Sequence, residues 1–156
     1  MDYHNPVLLK EAVDGLDIKN NGVYVDVTFG GGGHTKEILN HLASSGQVIA
    51  FDQDADAIEN KIDDNRLKLI KFNFKYLTNH LNYLKINKID GLLADFGISS
   101  YQIDTEIRGF SIRFDSDLDM RMNKEEEMTA EQWINTASEK EISDVLFHLG
   151  EERKSR

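Results

Sequence analysis

The chain contains no cysteine, which excludes disulfides, thiolate metal sites and a cysteine nucleophile. No window of its 156 residues approaches the ~20 apolar residues of a membrane span. The opening Met1-Asp2-Tyr3-His4-Asn5-Pro6 has neither a basic n-region nor an apolar core, so no secretory signal is read and a cytoplasmic setting is expected. The five histidines show no HxxxH or HxH spacing, and no metal site is expected. Positive charge is also scarce: 18 Lys and Arg against 28 Asp and Glu leave a formal charge of −10. Broad, nonspecific phosphate binding depends on Lys and Arg. Any nucleic-acid docking surface must therefore be local, or lie outside this chain.

What is present is an ordinary globular composition, 40% hydrophobic and 29% charged, in a length that suits one domain with its own core. Apolar spacing predicts a short helix from Asn5 (as N-cap) and Pro6 (as first helical position) to about Gly15. A buried strand over Val23–Phe29 follows, then a helix over Thr35–Leu42 and a strand over Gln47–Asp52. Next come a helix over Ala55–Ile62 capped by Asp54, a strand over Leu67–Phe72, a helix over Tyr76–Leu84 and a strand over Ile89–Phe96. This β-α-β-α-β-α-β alternation implies a parallel, doubly wound sheet, whose ligands bind beyond the carboxyl ends of the strands. Residues 101–128 read as a long charged loop. Two capping boxes, Thr129-x-x-Gln132 and Ser138-x-x-Glu141, then open helices. Four strands make a thin sheet, so the chain is expected to be a fragment.

The chemistry gathers at Asp26-Val27-Thr28-Phe29-Gly30-Gly31-Gly32-Gly33-His34, where an acidic strand end runs into four glycines and a helix. Glycine lets backbone approach a ligand and tolerates the positive φ of a tight strand-to-helix turn. A dinucleotide loop, G-x-G-x-x-G, fails here, because Thr35 or Lys36 stands where the third glycine belongs. No Gly-Lys-Ser/Thr follows, which excludes a P-loop. Asp26-x-Thr28-x-Gly30-x-Gly32 instead matches the acidic-x-Gly-x-Gly-x-Gly loop of class I methyltransferases, with Thr28 for the first glycine. S-adenosylmethionine (SAM) is cationic, so a nearby carboxylate favours it. Asp52, at the end of the second strand, is placed to reach ribose hydroxyls or to cap a helix. Phe74 is either core or a flank of the adenine.

With Leu93-Ala94-Asp95-Phe96-Gly97-Ile98-Ser99-Ser100-Tyr101-Gln102 beside that loop, the chain resembles the bacterial 16S ribosomal RNA cytosine-N4 methyltransferases, the small-subunit methyltransferase H family. The opening His4-Asn5-Pro6-Val7-Leu8-Leu9-Lys10-Glu11 adds to the likeness. So do Arg108-Gly109-Phe110-Ser111, Leu118-Asp119-Met120-Arg121-Met122 and Gly150-Glu151-Glu152-Arg153. The departures are Tyr101 where the family usually has Pro, and Gly31 where it usually has a non-glycine residue. The resemblance implies a truncated class I SAM-dependent methyltransferase of Rossmann-like, mostly parallel α/β fold. Residues 1–105 would form the SAM-binding core, and 106–156 the long loop and the start of a helical insertion. It implies SAM contacts from Gly32, Gly33, His34, Asp52, Phe74, Asp95 and Gln102. The implied reaction methylates the N4 amine of a decoding-centre cytidine (cytidine 1402) in 16S rRNA of the small subunit. Asp95 is placed to accept the amine proton, to contact SAM, or to cap its loop. Arg108, Phe110 and Arg113 are candidates for RNA contact, with loop anchoring as the equal alternative. Methylation of a small molecule or protein, or a module that binds without reacting, remain the other classes.

Overall fold

The computed structural model describes residues 6–156. Four parallel strands, β1 (Val23–Asp26), β2 (Gln47–Asp52), β3 (Leu67–Lys71) and β4 (Gly91–Leu93), form one sheet in the order β3-β2-β1-β4. Val23 pairs with Gln47, Val48 with Leu67 and Tyr24 with Gly91. The chain first steps outward from β1 through β2 to β3, then crosses to the other side of β1. The point where the strand order reverses, between β1 and β4, is where doubly wound sheets bind ligands.

Each face of the sheet is covered, as an all-parallel sheet requires. On one face α1 (Leu9–Asp14) and α2 (Gly33–His41) bury Val13, Ile38 and Leu39 against Tyr24, Val48 and Ala50. On the other, α4 (Leu77–Tyr83) lays Leu77, Leu81 and Leu84 over Val25, Ile49 and Phe51. A short α3 (Ala55–Ile58) follows β2. The chain forms two compact units, one reaching to Tyr101 and the other spanning Gln102–Arg156.

Several predicted boundaries move. The first helix begins at Leu9, after Leu8 in the left-handed region (φ 53°), so Pro6 stands outside it; Asn5 lies outside the described residues. The β1 ladder stops at Asp26 rather than Phe29, because the glycine turn bends the chain away. Single bonds from Val27 N to Leu93 O (3.0 Å) and Phe29 N to Phe51 O (2.9 Å) still hold the loop between its neighbours. The helix after Asp54 ends at Ile58 instead of Ile62. There the Asn60 amide donates to the carbonyls of Asp56 and Ala57, closing the helix end. β4 is three residues long instead of the predicted Ile89–Phe96, matching the Tyr24–Asp26 segment of β1 that it pairs with.

In the second unit, α5 (Ser100–Asp104, which enters it from the first) and a 3₁₀ turn at Glu106–Arg108 interrupt the predicted loop. Both capping boxes form, opening α6 (Ala130–Thr136) and α7 (Glu139–His148). Neither helix buries a residue: Ile134, Val145 and Leu146 all remain more than a third exposed.

Candidate functional site

The loop after β1 is built by carboxylates that face inward. Asp26 is fully buried. One of its oxygens accepts from Thr28 N (3.0 Å), the other from the Thr35 hydroxyl (2.7 Å), tying the strand end to the first turn of α2. Burial pushes its pKa up, opposed by those two bonds and by His34. A carboxylate read from sequence as an attraction for a cation thus spends its acceptors on the turn itself.

Asp52 holds the same loop from the β2 side. Its Oδ2 accepts from Gly30 N (2.8 Å) and its Oδ1 from Asp54 N (2.9 Å). Burial raises its pKa against the pull of these N–H groups. An ionised carboxylate offers about four acceptor positions. The Gln53 N–H bonds it as well, which leaves about one for a ribose hydroxyl. On the β4 side, Asp95 N donates to Thr28 Oγ1 (2.8 Å). Thr28, in the place of the motif's first glycine, therefore joins the loop after β1 to the loop after β4, and the Asp95 carboxylate stays exposed.

The four glycines divide by task. Gly30 (φ 52°) and Gly32 (φ 76°) need the left-handed region. A Cβ on Gly32 would lie 2.9 Å from the Phe29 ring, and one on Gly33 2.3 Å from the Pro6 ring, so both are glycines for packing reasons. Gly30 alone of these three faces open space, with Asn60 Nδ2 on its carbonyl (3.3 Å). Sequence reasoning placed Gly30 and Thr28 in the loop motif without a contact role, and did not single out Asn60. For Thr28 the signal was there, as the one non-glycine in an otherwise matching motif.

Phe74 sits in a 3₁₀ turn just past β3, capped by Asn73, and is 41% exposed, so it is not core. Its ring lies 5.6 Å from that of Phe96, next to Asp95. His34 is buried, and its Nε2 has no hydrogen-bond partner. The first unit thus brings together Gly32, Gly33, His34, Asp52, Phe74 and Asp95 at the carboxyl end of the sheet. Three features fit a nucleoside cofactor: the remaining acceptor position on Asp52, the exposed aromatic pair, and the unpaired imidazole nitrogen that a polar ligand group would satisfy.

Gln102 belongs to the second unit, where it is buried with its amide on Met122 Sδ (3.3 Å). Arg108 is 1% exposed and donates to the carbonyls of Arg121 (2.9 Å) and Met122 (3.5 Å), its guanidinium 5.9 Å from the half-buried Phe110 ring. Met120 N returns a bond to Arg108 O (3.0 Å), and a Cβ on Gly109 would strike the backbone of Asp117 and Asp119. The Arg-Gly-Phe-Ser and Leu-Asp-Met-Arg-Met motifs are thus two halves of one knot, and Arg108 in this geometry is its anchor. Contact between its guanidinium and RNA would require these bonds to open. Arg113 is exposed, paired with Asp104 and bonded to Ser111 Oγ (3.1 Å). Among the described residues no group of three or more His, Asp or Glu is arranged to hold a metal ion.

A family model described as the MraW methylase family matches residues 1–156. The chain is 56% identical over 147 residues to the ribosomal RNA small subunit methyltransferase H of Christiangramia forsetii, covering 94% of this chain and 49% of that protein. It is 52% identical over 151 residues to the protein of the same name from Flavobacterium johnsoniae, covering 97% and 50%. The chain therefore spans about half the length of the curated relatives it matches. A solved structure, a calicheamicin-biosynthesis methyltransferase in its SAH-bound form, overlays with a TM-score of 0.35 and 22% identity over 44% of this chain and 22% of that one. That likeness is too slight to bear on cofactor or activity.

Proposed function

This chain belongs to the MraW methylase family, and from that premise we propose that it is the cofactor-binding half of a SAM-dependent methyltransferase acting on small-subunit ribosomal RNA in the cytoplasm, with the N4 amine of cytidine 1402 as the methyl acceptor. The observation that carries the reading is the double stitching of the loop after β1. Gly30 is tied to Asp52 on one side and Thr28 to Asp95 on the other, so the candidate cofactor and acceptor groups share one crevice.

In this reading Gly30 and Gly32 present backbone to the cofactor, Asp52 takes a ribose hydroxyl and Phe74 flanks the adenine. His34 supplies a further polar contact. Bound there, SAM supplies an electrophilic methyl group for in-line displacement. The protein's task is to make a poor nucleophile adequate. The lone pair of an exocyclic cytosine amine is delocalised into the ring, and an acceptor on its N–H restores lone-pair character and then removes the proton. The exposed Asp95 carboxylate, held by its own backbone bond to Thr28, is that acceptor, provided the site sets nitrogen and methyl carbon ~3–3.5 Å apart.

The test is transfer of labelled methyl from SAM by the longest natural form of the protein to small ribosomal subunits lacking the modification, followed by nucleoside analysis. N4-methylated cytidine at the one position is expected. Methylation of protein, of a small molecule or of another RNA position would overturn the assignment.

A further inference from the structure

The acidic composition leaves open where RNA could dock. The answer suggested by the sequence arithmetic is narrow. Between Asp64 and Asp90 there are 25 residues with no acid at all and six of the chain's 18 basic residues, Arg66, Lys68, Lys71, Lys75, Lys85 and Lys88. These residues form β3, the turn after it, α4 and the approach to β4. β3 is one edge of the sheet, and α4 returns over Val25, Ile49 and Phe51 toward β4 at the other edge, so the stretch passes the cofactor end beside Phe74 and then follows α4.

Aromatic rings accompany the charge. Phe72 and Tyr83 are 51% and 84% exposed. Phe72 stands 6.0 Å from Tyr76 and 4.7 Å from His80, and Lys75 lies over the Tyr76 ring at 5.1 Å. Asn79, His80 and Tyr83 line a recess of about 290 Å³ on α4. That volume falls just below that of ligand pockets, about 300–1,000 Å³, and suits one planar ring better than an extended ligand.

A bland account exists for part of this. Lysines on an edge strand prevent edge-to-edge pairing, which explains Lys68 and Lys71. It does not explain Lys75, Lys85 and Lys88, which lie outside β3, nor large aromatic rings left in solvent among them. Cations interleaved with exposed rings are what a single strand of nucleic acid requires: phosphates neutralised by Lys, and bases stacked on aromatic faces. Since the stretch is positive in a chain of charge −10, the remaining surface repels RNA and leaves this stretch as the favoured approach.

We propose that the acid-free stretch between Asp64 and Asp90, from the end of β3 along α4, is a docking strip for single-stranded RNA, with backbone phosphates on Lys71, Lys75 and Lys85 and a base seated against Tyr83 and His80. It rests on the reading of RNA as substrate, and it leads the strand toward the crevice beside Phe74.

The test is fluorescence anisotropy of this chain with a labelled 12-nucleotide single-stranded RNA of mixed sequence, at several salt concentrations. Three or four neutralised phosphates predict a slope of log K against log salt of about −2 to −3. The Lys71→Gln/Lys75→Gln/Lys85→Gln variant is expected to flatten that slope by about 2, and Tyr83→Ala to weaken binding at least about 5-fold. SAM affinity should be unchanged in both, which shows that they fold. Lys10→Gln/Lys61→Gln, which removes two cations from outside the strip, should leave RNA binding intact. Equal losses from that control pair would overturn the strip. So would loss on Arg113→Gln with none from the strip variants, an outcome that leaves the RNA-substrate reading standing. Failure of the wild-type chain to bind RNA while it binds SAM would also overturn the strip; methyl transfer to ribosomal subunits tests the substrate separately.

Discussion

Replacing Asp52 with Asn separates the two tasks assigned to that carboxylate. Both of its oxygens accept backbone N–H bonds, from Gly30 at 2.8 Å and Asp54 at 2.9 Å. Asn keeps one acceptor oxygen and turns the other into a donor, so whichever way the amide flips, one of the two N–H groups faces an NH2. Losing a hydrogen bond to a charged group costs about 1.5–3 kcal/mol. Part of this is recovered because burial makes the ionised form costly, the cause of the raised Asp52 pKa. A net loss of about 1–2 kcal/mol is expected, or about 2–8 °C in Tm for a chain of this size. The cofactor effect is separate. The amide also loses the acceptor position for a ribose hydroxyl, and one such charged bond corresponds to about 10- to 150-fold in Kd. Calorimetry with SAM and with S-adenosylhomocysteine, which share the ribose, should show the same loss for both. A lower Tm with SAM affinity unchanged within twofold would refute the ribose role and leave Asp52 as a loop staple.

Gly32→Ala should destabilise the first unit by about 1–2 kcal/mol or more, read as a lower urea midpoint. The new Cβ imposes a side chain at φ 76° and meets the Phe29 ring at 2.9 Å. Arg108→Ala removes the guanidinium from the carbonyls of Arg121 and Met122, and should speed proteolysis between residues 109 and 128; Lys there should not rescue it, since an ammonium lacks the planar fork. Asp119 is held below the ordinary carboxylate range by its bonds from Arg121. A depressed carboxylate contributes stability above its unfolded pKa of about 3.9 and loses it as pH falls through the folded value. The fluorescence of the single Trp133, on the helix whose first N–H groups bond Asp119 O and Leu118 O, should hold steady above about pH 5 and change below about pH 4. Asp119→Asn should abolish that change. In the longest natural form, Asp95→Asn should cut turnover by two orders of magnitude or more with SAM affinity nearly unchanged; loss of SAM binding alone would sink the proton-acceptor role.

What could be read from sequence was whatever repeats with a period or sits at a chemical boundary. The strand-helix alternation, Asp54 as a helix cap and both capping boxes depend on spacing over three or four residues, and they stand in the structure. What could not be read was anything decided by a distant partner. The predicted strand ends overrun at Phe29 and Phe96 because the glycine turn bends β1 away after Asp26, and β4 ends at Leu93 with the β1 residue it pairs with. The first helix was begun too early because Leu8 adopts a left-handed conformation that no leucine signals. Gly33 invited a ligand explanation, yet it faces the ring of Pro6, 27 positions earlier. Arg108 is legible in sequence only as an RNA contact or a loop anchor, and only the fold reveals the Arg121 and Met122 carbonyls around it. At the candidate site, the carboxylates were legible as types, but Thr28 as the link between two strand ends was not.

The central claim is that the crevice between the ends of β1, β2 and β4 holds S-adenosylmethionine. Calorimetric titration of this chain with SAM, with NADH as the control ligand, tests it most directly. Saturable binding of SAM at one site per chain, and none of NADH, is expected. Binding of NADH in its place, or heats indistinguishable from dilution for both, would contradict it.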